Sequence, residues 1–91
     1  MFVVVAYDVP SDRRRTKLHK KLKDYGEPVQ YSVFECNLSQ KQKFSMTKAI
    51  RALISYKEDR VRIYGLCGAC VKSISIMGKG EITEDCVTIF V

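Results

Sequence analysis

The first strand of this chain restricts the fold more than any other segment. Residues Phe2 to Tyr7 are apolar along their whole length, and no polar side chain alternates with the apolar ones. This pattern is typical of a strand that is buried on both faces of its sheet. Pro10 ends the strand because proline has no N–H group to donate to the ladder. A chain of only 91 residues must therefore cover both faces of a sheet.

Hydrophobic periodicity divides the rest of the chain into helices and strands. A first helix is indicated by Leu18, Leu22 and Tyr25 at helical spacing. After the first strand we predict a helix from a Ser11 or Asp12 cap to about Tyr25, a strand Val29–Cys36, a helix from a Ser39–Gln42 capping box to about Tyr56, a strand Arg60–Leu66, a turn Cys67–Cys70, and strands Val71–Met77 and Val87–Val91.

These elements read literally as β-α-β-α-β-β-β. If the stretch Val29–Leu38 contains a bend and a hairpin, the order becomes βαββαβ, and residues 1–91 form one ferredoxin-like α+β sandwich with an extra C-terminal strand. Both helices then cover the same face of the sheet. A second copy of the chain is the simplest cover for the other face, which predicts a face-to-face homodimer. Residues 78–91 are expected to be a C-terminal extension that pairs with the partner's sheet edge.

The charge of the chain favours a polyanionic partner. Lys and Arg number 16 against 10 Asp and Glu, which gives a formal net charge of +6. Binding to DNA or RNA is favoured by such a charge because it releases counterions from the phosphates. The apolar start is too short for a membrane span and lacks a positive leader, so we expect a cytoplasmic protein with no membrane partner. Its four cysteines are then expected to be reduced.

Cys67 and Cys70 have the spacing of a zinc knuckle or of a redox pair. A structural zinc site usually needs four ligands, and Cys36, Cys86 and His19 stand singly in the sequence. A redox pair normally opens a helix after a strand. We interpret the segment as a turn in which Gly68 supplies backbone freedom.

Positive charge is concentrated in the first predicted helix. Seven of the 16 Lys and Arg residues lie between positions 13 and 23. Arg13, Arg14 and Arg15 lie near the helix N-terminus, where the dipole disfavours cations. A bound phosphate would explain them, and with Lys17 they are candidate nucleic-acid contacts. The alternative is a solvated helix face.

Asp8 closes the first strand and is the best candidate for chemistry. It could be a ligand for Mg²⁺, which takes few carboxylates and could activate water against a phosphodiester. One carboxylate is a small ligand set for a catalytic Mg²⁺ ion. A two-fold axis of the dimer near the strand end would bring two copies of Asp8 together in one shared site. The alternative is a structural ion pair with Arg14 or Arg15. In the second strand Ser32 and Phe34 are either site residues or packing residues, and His19 is expected to be exposed rather than catalytic.

Three runs of the sequence resemble the CRISPR-associated protein Two family. They are YDVPSDRRRTKL at 7–18, YGEPVQYSVFEC at 25–36 and DRVRIY at 59–64. The resemblance implies a ferredoxin-like homodimer whose C-terminal strand joins the partner's sheet. It implies a Mg²⁺-dependent endonuclease that acts on RNA or double-stranded DNA, and a structural place between two dimers of the CRISPR integrase, CRISPR-associated protein One, in spacer acquisition.

The resemblance also assigns site residues. The family's strand-end aspartate falls on Asp8, its arginine pair on Arg14 and Arg15, and its serine and phenylalanine on Ser32 and Phe34. Many members have an arginine where this chain has Pro28. Three functions stay open: a metal-dependent nuclease, a DNA-binding scaffold for the integrase, and a toxin-type ribonuclease of the same fold.

Overall fold

The computed structural model describes residues 1–78, whose elements follow the order β-α-β-β-α-β with a short helix after them. The strands are β1 Phe2–Asp8, β2 Gly26–Gln30, β3 Val33–Asn37 and β4 Arg60–Leu66, and the helices are α1 Asp12–Leu22, α2 Gln40–Leu53 and α3 Gly68–Lys72. None of these helices is long and apolar enough to cross a membrane.

The four strands form one antiparallel sheet in the order β2-β3-β1-β4. In each β-α-β unit another strand lies between the two that the helix connects: β3 separates β1 from β2, and β1 separates β3 from β4. This split arrangement defines the ferredoxin-like fold. The predicted fold class is therefore confirmed.

The predicted single strand Val29–Cys36 is wrong, because the segment is a hairpin. Tyr31 and Ser32 form the turn between β2 and β3. The backbone N–H of Tyr7 donates to the carbonyl of Ser32 at 3.0 Å, which holds the turn beside the end of β1. This hairpin is the one that the βαββαβ order required.

Both predicted helix starts are confirmed, and both helices end about three residues early. Ser11 caps α1 by accepting from the Arg14 N–H at 3.3 Å, and Ser39 and Gln42 make both bonds of the capping box. The chain leaves α2 at Ile54, whose backbone is extended. At the other end of α1 the N–H groups of Asp24 and Tyr25 bond three residues back, which closes a tighter turn.

The main core lies between one face of the sheet and helices α1 and α2. Alternate residues of β1 face it, and they pack with residues from both helices and from β3. Its largest fully buried side chains are Phe34, Leu18, Leu22, Met46, Val3, Val5 and Cys36. This alternation follows the two-residue period of a strand.

The opposite face of the sheet is only partly covered. Phe2 is buried there against Val71 of α3, whereas Val4 is half-buried and Tyr64 is 46% exposed. The predicted strand Val71–Met77 and the predicted turn Cys67–Cys70 are both wrong at this point. Cys67 is instead the N-cap of α3, and no strand follows α3 as far as residue 78. The predicted strand Val87–Val91 and all but the first residue of the extension 78–91 lie outside the described residues.

Candidate active site at the end of the first strand

Asp8 is the last residue of β1, and its side chain is exposed. Its backbone pairs with Arg60 at the edge strand β4. Within residues 1–78 the Asp8 carboxylate takes part in no ion pair or hydrogen bond. The alternative reading of Asp8 as an ion-pair partner of Arg14 or Arg15 therefore finds no support, because both arginines bind elsewhere.

An open groove of about 440 Å³ lies beside Asp8. The hairpin turn supplies Tyr31 and Ser32 on one side of it. Its lining residues are Tyr7, Asp8, Val9, Pro10, Arg15, Thr16, His19, Tyr31 and Ser32. The groove brings the predicted residues Asp8, Arg15 and Ser32 together, and it leaves out Arg13, Arg14, Lys17 and Phe34.

His19 lines this groove and is not the exposed residue that we predicted. It is half-buried, and its ring packs edge-on against Phe34 with the centroids 5.0 Å apart. The Tyr7 hydroxyl lies 3.2 Å from His19 Nδ1 and donates to the Tyr31 carbonyl at 3.3 Å. A hydroxyl has one proton, so when Tyr7 donates to the Tyr31 carbonyl its oxygen is left to accept from His19 Nδ1.

Tyr7 and Phe34 form the floor beneath the groove. Burial raises the pKa of the Tyr7 phenol above its ordinary value of 10.0, and the charge of Arg15 opposes that rise. Phe34 is fully buried and stacks on Tyr7 with the ring centroids 6.4 Å apart. A ring in this position supports His19 and Tyr7 from below and is out of reach of a nucleic acid.

Arg14 ties the start of α1 to the segment that precedes β4. Its guanidinium donates to Asp59 at 2.8 and 3.1 Å and to Glu58 at 2.8 Å. Asp59 also accepts from the Ser55 N–H at 2.7 Å, and its side chain is fully buried. The Arg14 hydrogen bonds hold the pKa of Asp59 below its ordinary value of 3.8. The described contacts of Arg14 are therefore those of a structural clamp.

Arg15 holds the segment that follows Asp8. Its guanidinium donates to the Val9 carbonyl at 2.9 Å and to the Pro10 carbonyl at 3.4 Å, and it pairs with Asp12. The side chain remains 45% exposed at the rim of the groove. Arg13 and Lys17 are exposed on α1, and neither has a side-chain partner among residues 1–78.

The described residues offer Mg²⁺ one carboxylate in this groove. Among residues 1–78 no group of three or more His, Cys, Asp or Glu side chains could hold a metal ion. Mg²⁺ is often bound through one or two carboxylates and keeps several waters, so an exposed, unpaired Asp8 fits it only as part of a site. A second protein ligand would have to come from outside residues 1–78 of this chain.

The fold and this groove define a class: small ferredoxin-like proteins with a single acidic residue at the open end of the first strand. The family model described as CRISPR associated protein Cas2 matches residues 1–74. This chain belongs to that family, as its resemblance to the CRISPR-associated protein Two family predicted.

Relatives and solved structures agree with this assignment. The CRISPR-associated endoribonuclease Cas2 3 of Synechocystis is 42% identical over 89% of this chain and 88% of the relative. A hypothetical protein of Thermus thermophilus, TT1823, has a crystal structure that superposes with a TM-score of 0.80 at 40% identity, over 91% of this chain and 96% of the other. The Cas2 of Streptococcus pyogenes gives a TM-score of 0.76 at 30% identity, over 86% and 100% of the two chains.

Proposed function

We propose that this protein is a CRISPR adaptation protein that works as a homodimer and binds nucleic acid. We propose further that it hydrolyses phosphodiester bonds in an active site built around Asp8. The observation that carries the proposal is the exposed Asp8 carboxylate, which has no ion-pair partner in the described chain and lies in an open groove with Arg15, His19 and Ser32. The relative in Synechocystis is named an endoribonuclease, and a relative in Thermus thermophilus is named an endonuclease.

In the proposed site two carboxylates would hold Mg²⁺, Asp8 of this chain and Asp8 of a second subunit. The ion would supply a water of lowered pKa and a positive charge at the scissile phosphate. Arg15 holds the Val9–Pro10 backbone that follows Asp8. Ser32 also lines the groove and is the hydroxyl-bearing residue that the hairpin turn contributes.

The sheet face opposite the helices supports the homodimer. Val4 and Ala6 of β1 are half-buried on that face in the single chain, and the neighbouring Tyr64 is 46% exposed. A second copy packed there would remove this apolar surface from water, which is the main driving force of association. The net charge of +6 would double in the dimer and favour a nucleic-acid duplex as substrate or ligand.

The nuclease proposal is tested by Asp8→Asn beside Asp24→Asn as a matched control. Asp24 is also an exposed aspartate, so its variant makes the same charge change away from the groove. Cleavage of labelled RNA and double-stranded DNA is measured in Mg²⁺ and in a chelator. We expect Asp8→Asn to lose on the order of 10²-fold or more in rate, about 3 kcal/mol of barrier, and Asp24→Asn to keep it. Equal rates for both variants would refute the assignment.

A second function, a non-catalytic scaffold for the CRISPR integrase, is favoured by the single carboxylate in the groove. The scaffold also agrees with a similar solved structure, a partial Cas6-RT-Cas1–Cas2 complex, which shares 29% identity with this chain at a TM-score of 0.74. The two functions separate in one experiment, in which Asp8→Asn is added to the integrase, the dimer of CRISPR-associated protein One. If spacer integration survives while cleavage is lost, the scaffold is the physiological role. If both are lost in a folded dimer, the nuclease is required.

A further inference from the structure

Cys67 and Cys70 come together at a strand–helix junction. Cys67 follows the last residue of β4 and is the N-cap of α3, and Cys70 lies one turn into that helix. Their sulfur atoms are 3.5 Å apart, and both residues are exposed. A cysteine pair that opens a helix directly after a strand is the local geometry of a redox pair, and the sequence alone had indicated a turn instead.

We propose that Cys67 and Cys70 are a redox-active dithiol that is oxidised to an intramolecular disulfide by exchange with a low-molecular-weight disulfide. The proposal is independent of cleavage at Asp8. A small movement suffices for the bond, because the two sulfur atoms already lie in contact and the residues are three apart on one helical turn. The pair is accessible to a small disulfide in the described chain.

The exchange takes place in two steps. Cys67 loses its proton to water, and its thiolate attacks one sulfur of the disulfide RS–SR, which forms a mixed disulfide on Cys67 and releases RS⁻. Cys70 then loses its proton to water, attacks the Cys67 sulfur and displaces the second RS⁻. The protein loses two electrons and two protons, and RS–SR is reduced to two RSH.

The surroundings assign the attacking role to Cys67. The backbone N–H and then the thiol of Cys70 hold the pKa of the Cys67 thiol below its ordinary value of 9.0. Interaction with Cys67 raises the pKa of Cys70 correspondingly. A thiolate is the nucleophile in exchange, so the sulfur with the larger thiolate fraction attacks first and the other resolves the mixed disulfide.

Oxidation would act on the sheet face opposite the helices. The N–H of Val71 donates to the Cys67 carbonyl at 3.0 Å, and the Val71 side chain is buried against Phe2. A disulfide across this turn covalently fixes the segment that places Val71 on Phe2. The redox state of the pair is therefore coupled to the only helix that the described chain places on that face.

The test uses the full chain with Cys86→Ser, which leaves Cys67 and Cys70 as exposed thiols and Cys36 as a buried one. The protein is equilibrated in buffers of glutathione and glutathione disulfide at stepped ratios, quenched by alkylation and mapped by peptide mass. We expect a 67–70 disulfide that titrates with the ratio, while the buried Cys36 stays unmodified. Slower hydrogen exchange at the Val71 amide in the oxidised form is the expected second readout.

Single variants separate the two sulfurs. Cys70→Ser should accumulate a glutathione mixed disulfide on Cys67, and Cys67→Ser should form one on Cys70 more slowly by on the order of tenfold. A folded protein whose pair stays reduced at every ratio would overturn the proposal. So would a pair that takes up Zn²⁺ and remains reduced in excess glutathione disulfide. Equal rates in the two variants would overturn the assignment of Cys67 as the attacking thiol.

Discussion

Gly26 is where one methyl group should have the largest effect on this fold. It is the first residue of β2, opposite Cys36 of β3. A Cβ atom added to it would overlap the Glu35 carbonyl oxygen and lie 2.5 Å from the Cys36 sulfur and 2.9 Å from the Cys36 Cα. Two of these neighbours are backbone atoms of a central strand, so rotating a side chain cannot relieve the overlap. Gly26→Ala must shift the hairpin.

We expect Gly26→Ala to cost about 1–3 kcal/mol, the usual cost of overpacking. A loss of about 2 kcal/mol lowers Tm by roughly 8–16 °C in a domain of this size. The assay is thermal unfolding followed by circular dichroism, at one protein concentration because dimer stability depends on it. The hairpin also carries Ser32, so the groove beside Asp8 should be disturbed in the same variant.

Gly65→Ala is the matched control for this variant. Gly65 lies within β4, and among residues 1–78 a Cβ there would meet only the Met1 sulfur, at 3.7 Å. Removal of a glycine from the unfolded chain should then stabilise the protein by about 0.4–1 kcal/mol. If Gly26→Ala is as stable as the wild type, or if the two variants lose stability equally, the close approach of β2 to β3 is not what requires a glycine at 26.

Three further predictions concern the Tyr7 hydroxyl, the Asp59 ion pair and two exposed cations of α1. Tyr7→Phe removes the hydroxyl that bonds to His19, so it should lower the free energy of unfolding by about 0.5–1.5 kcal/mol in urea titrations. Arg14 depresses the folded-state pKa of Asp59, so the ion pair should stabilise the fold above pH 3.8 and lose that effect as the pH falls further. The difference in Tm between the wild type and Asp59→Asn should therefore shrink only in that acid range. Arg13→Ala and Lys17→Ala should each reduce the salt dependence of nucleic-acid binding by about one unit of slope, with Tm unchanged.

Local sequence rules located most of the fold but missed the β2–β3 hairpin. The run from Val29 to Cys36 is rich in strand-forming residues, and its turn at Tyr31 and Ser32 contains no glycine, proline or asparagine. The turn lies there because Ser32 accepts from the Tyr7 backbone, a contact between residues 25 positions apart. Only the requirement for a βαββαβ order indicated that the run must bend.

The error at Val71–Met77 has a related cause. Polar and apolar residues alternate from Ser73 to Ile76, which is typical of a strand. In the structure Val71 packs against Phe2 on the sheet face that α1 and α2 leave open, and a single helical turn from Gly68 to Lys72 achieves this. The tertiary contact overrides the local pattern, because a buried apolar residue is worth more than strand propensity.

Asp8 was placed correctly at the strand end from the sequence, whereas His19 was missed. The available signal was helical spacing: His19 is four residues from Arg15 and three from Thr16, so all three share one face of α1. Once Pro10 ends β1 and Ser11 caps the helix, that face must turn toward the strand end. His19 is flanked by lysines in the sequence and was therefore predicted to be exposed. The packing of α1 against the sheet is what half-buries it.

The arginines of α1 have divided roles, and that division determines which variants report on nucleic acid. The cluster was predicted to hold a phosphate because cations are disfavoured at a helix start. Two of its members are already compensated, Arg14 by Asp59 and Glu58, and Arg15 by Asp12 and two backbone carbonyls. Replacing either arginine would disturb the protein segments around Asp8 and could also remove a contact to nucleic acid. A loss of binding in such a variant would therefore not show which of the two effects caused it. Arg13 and Lys17 have no such partners among residues 1–78, and they are the side chains whose removal measures phosphate contact alone.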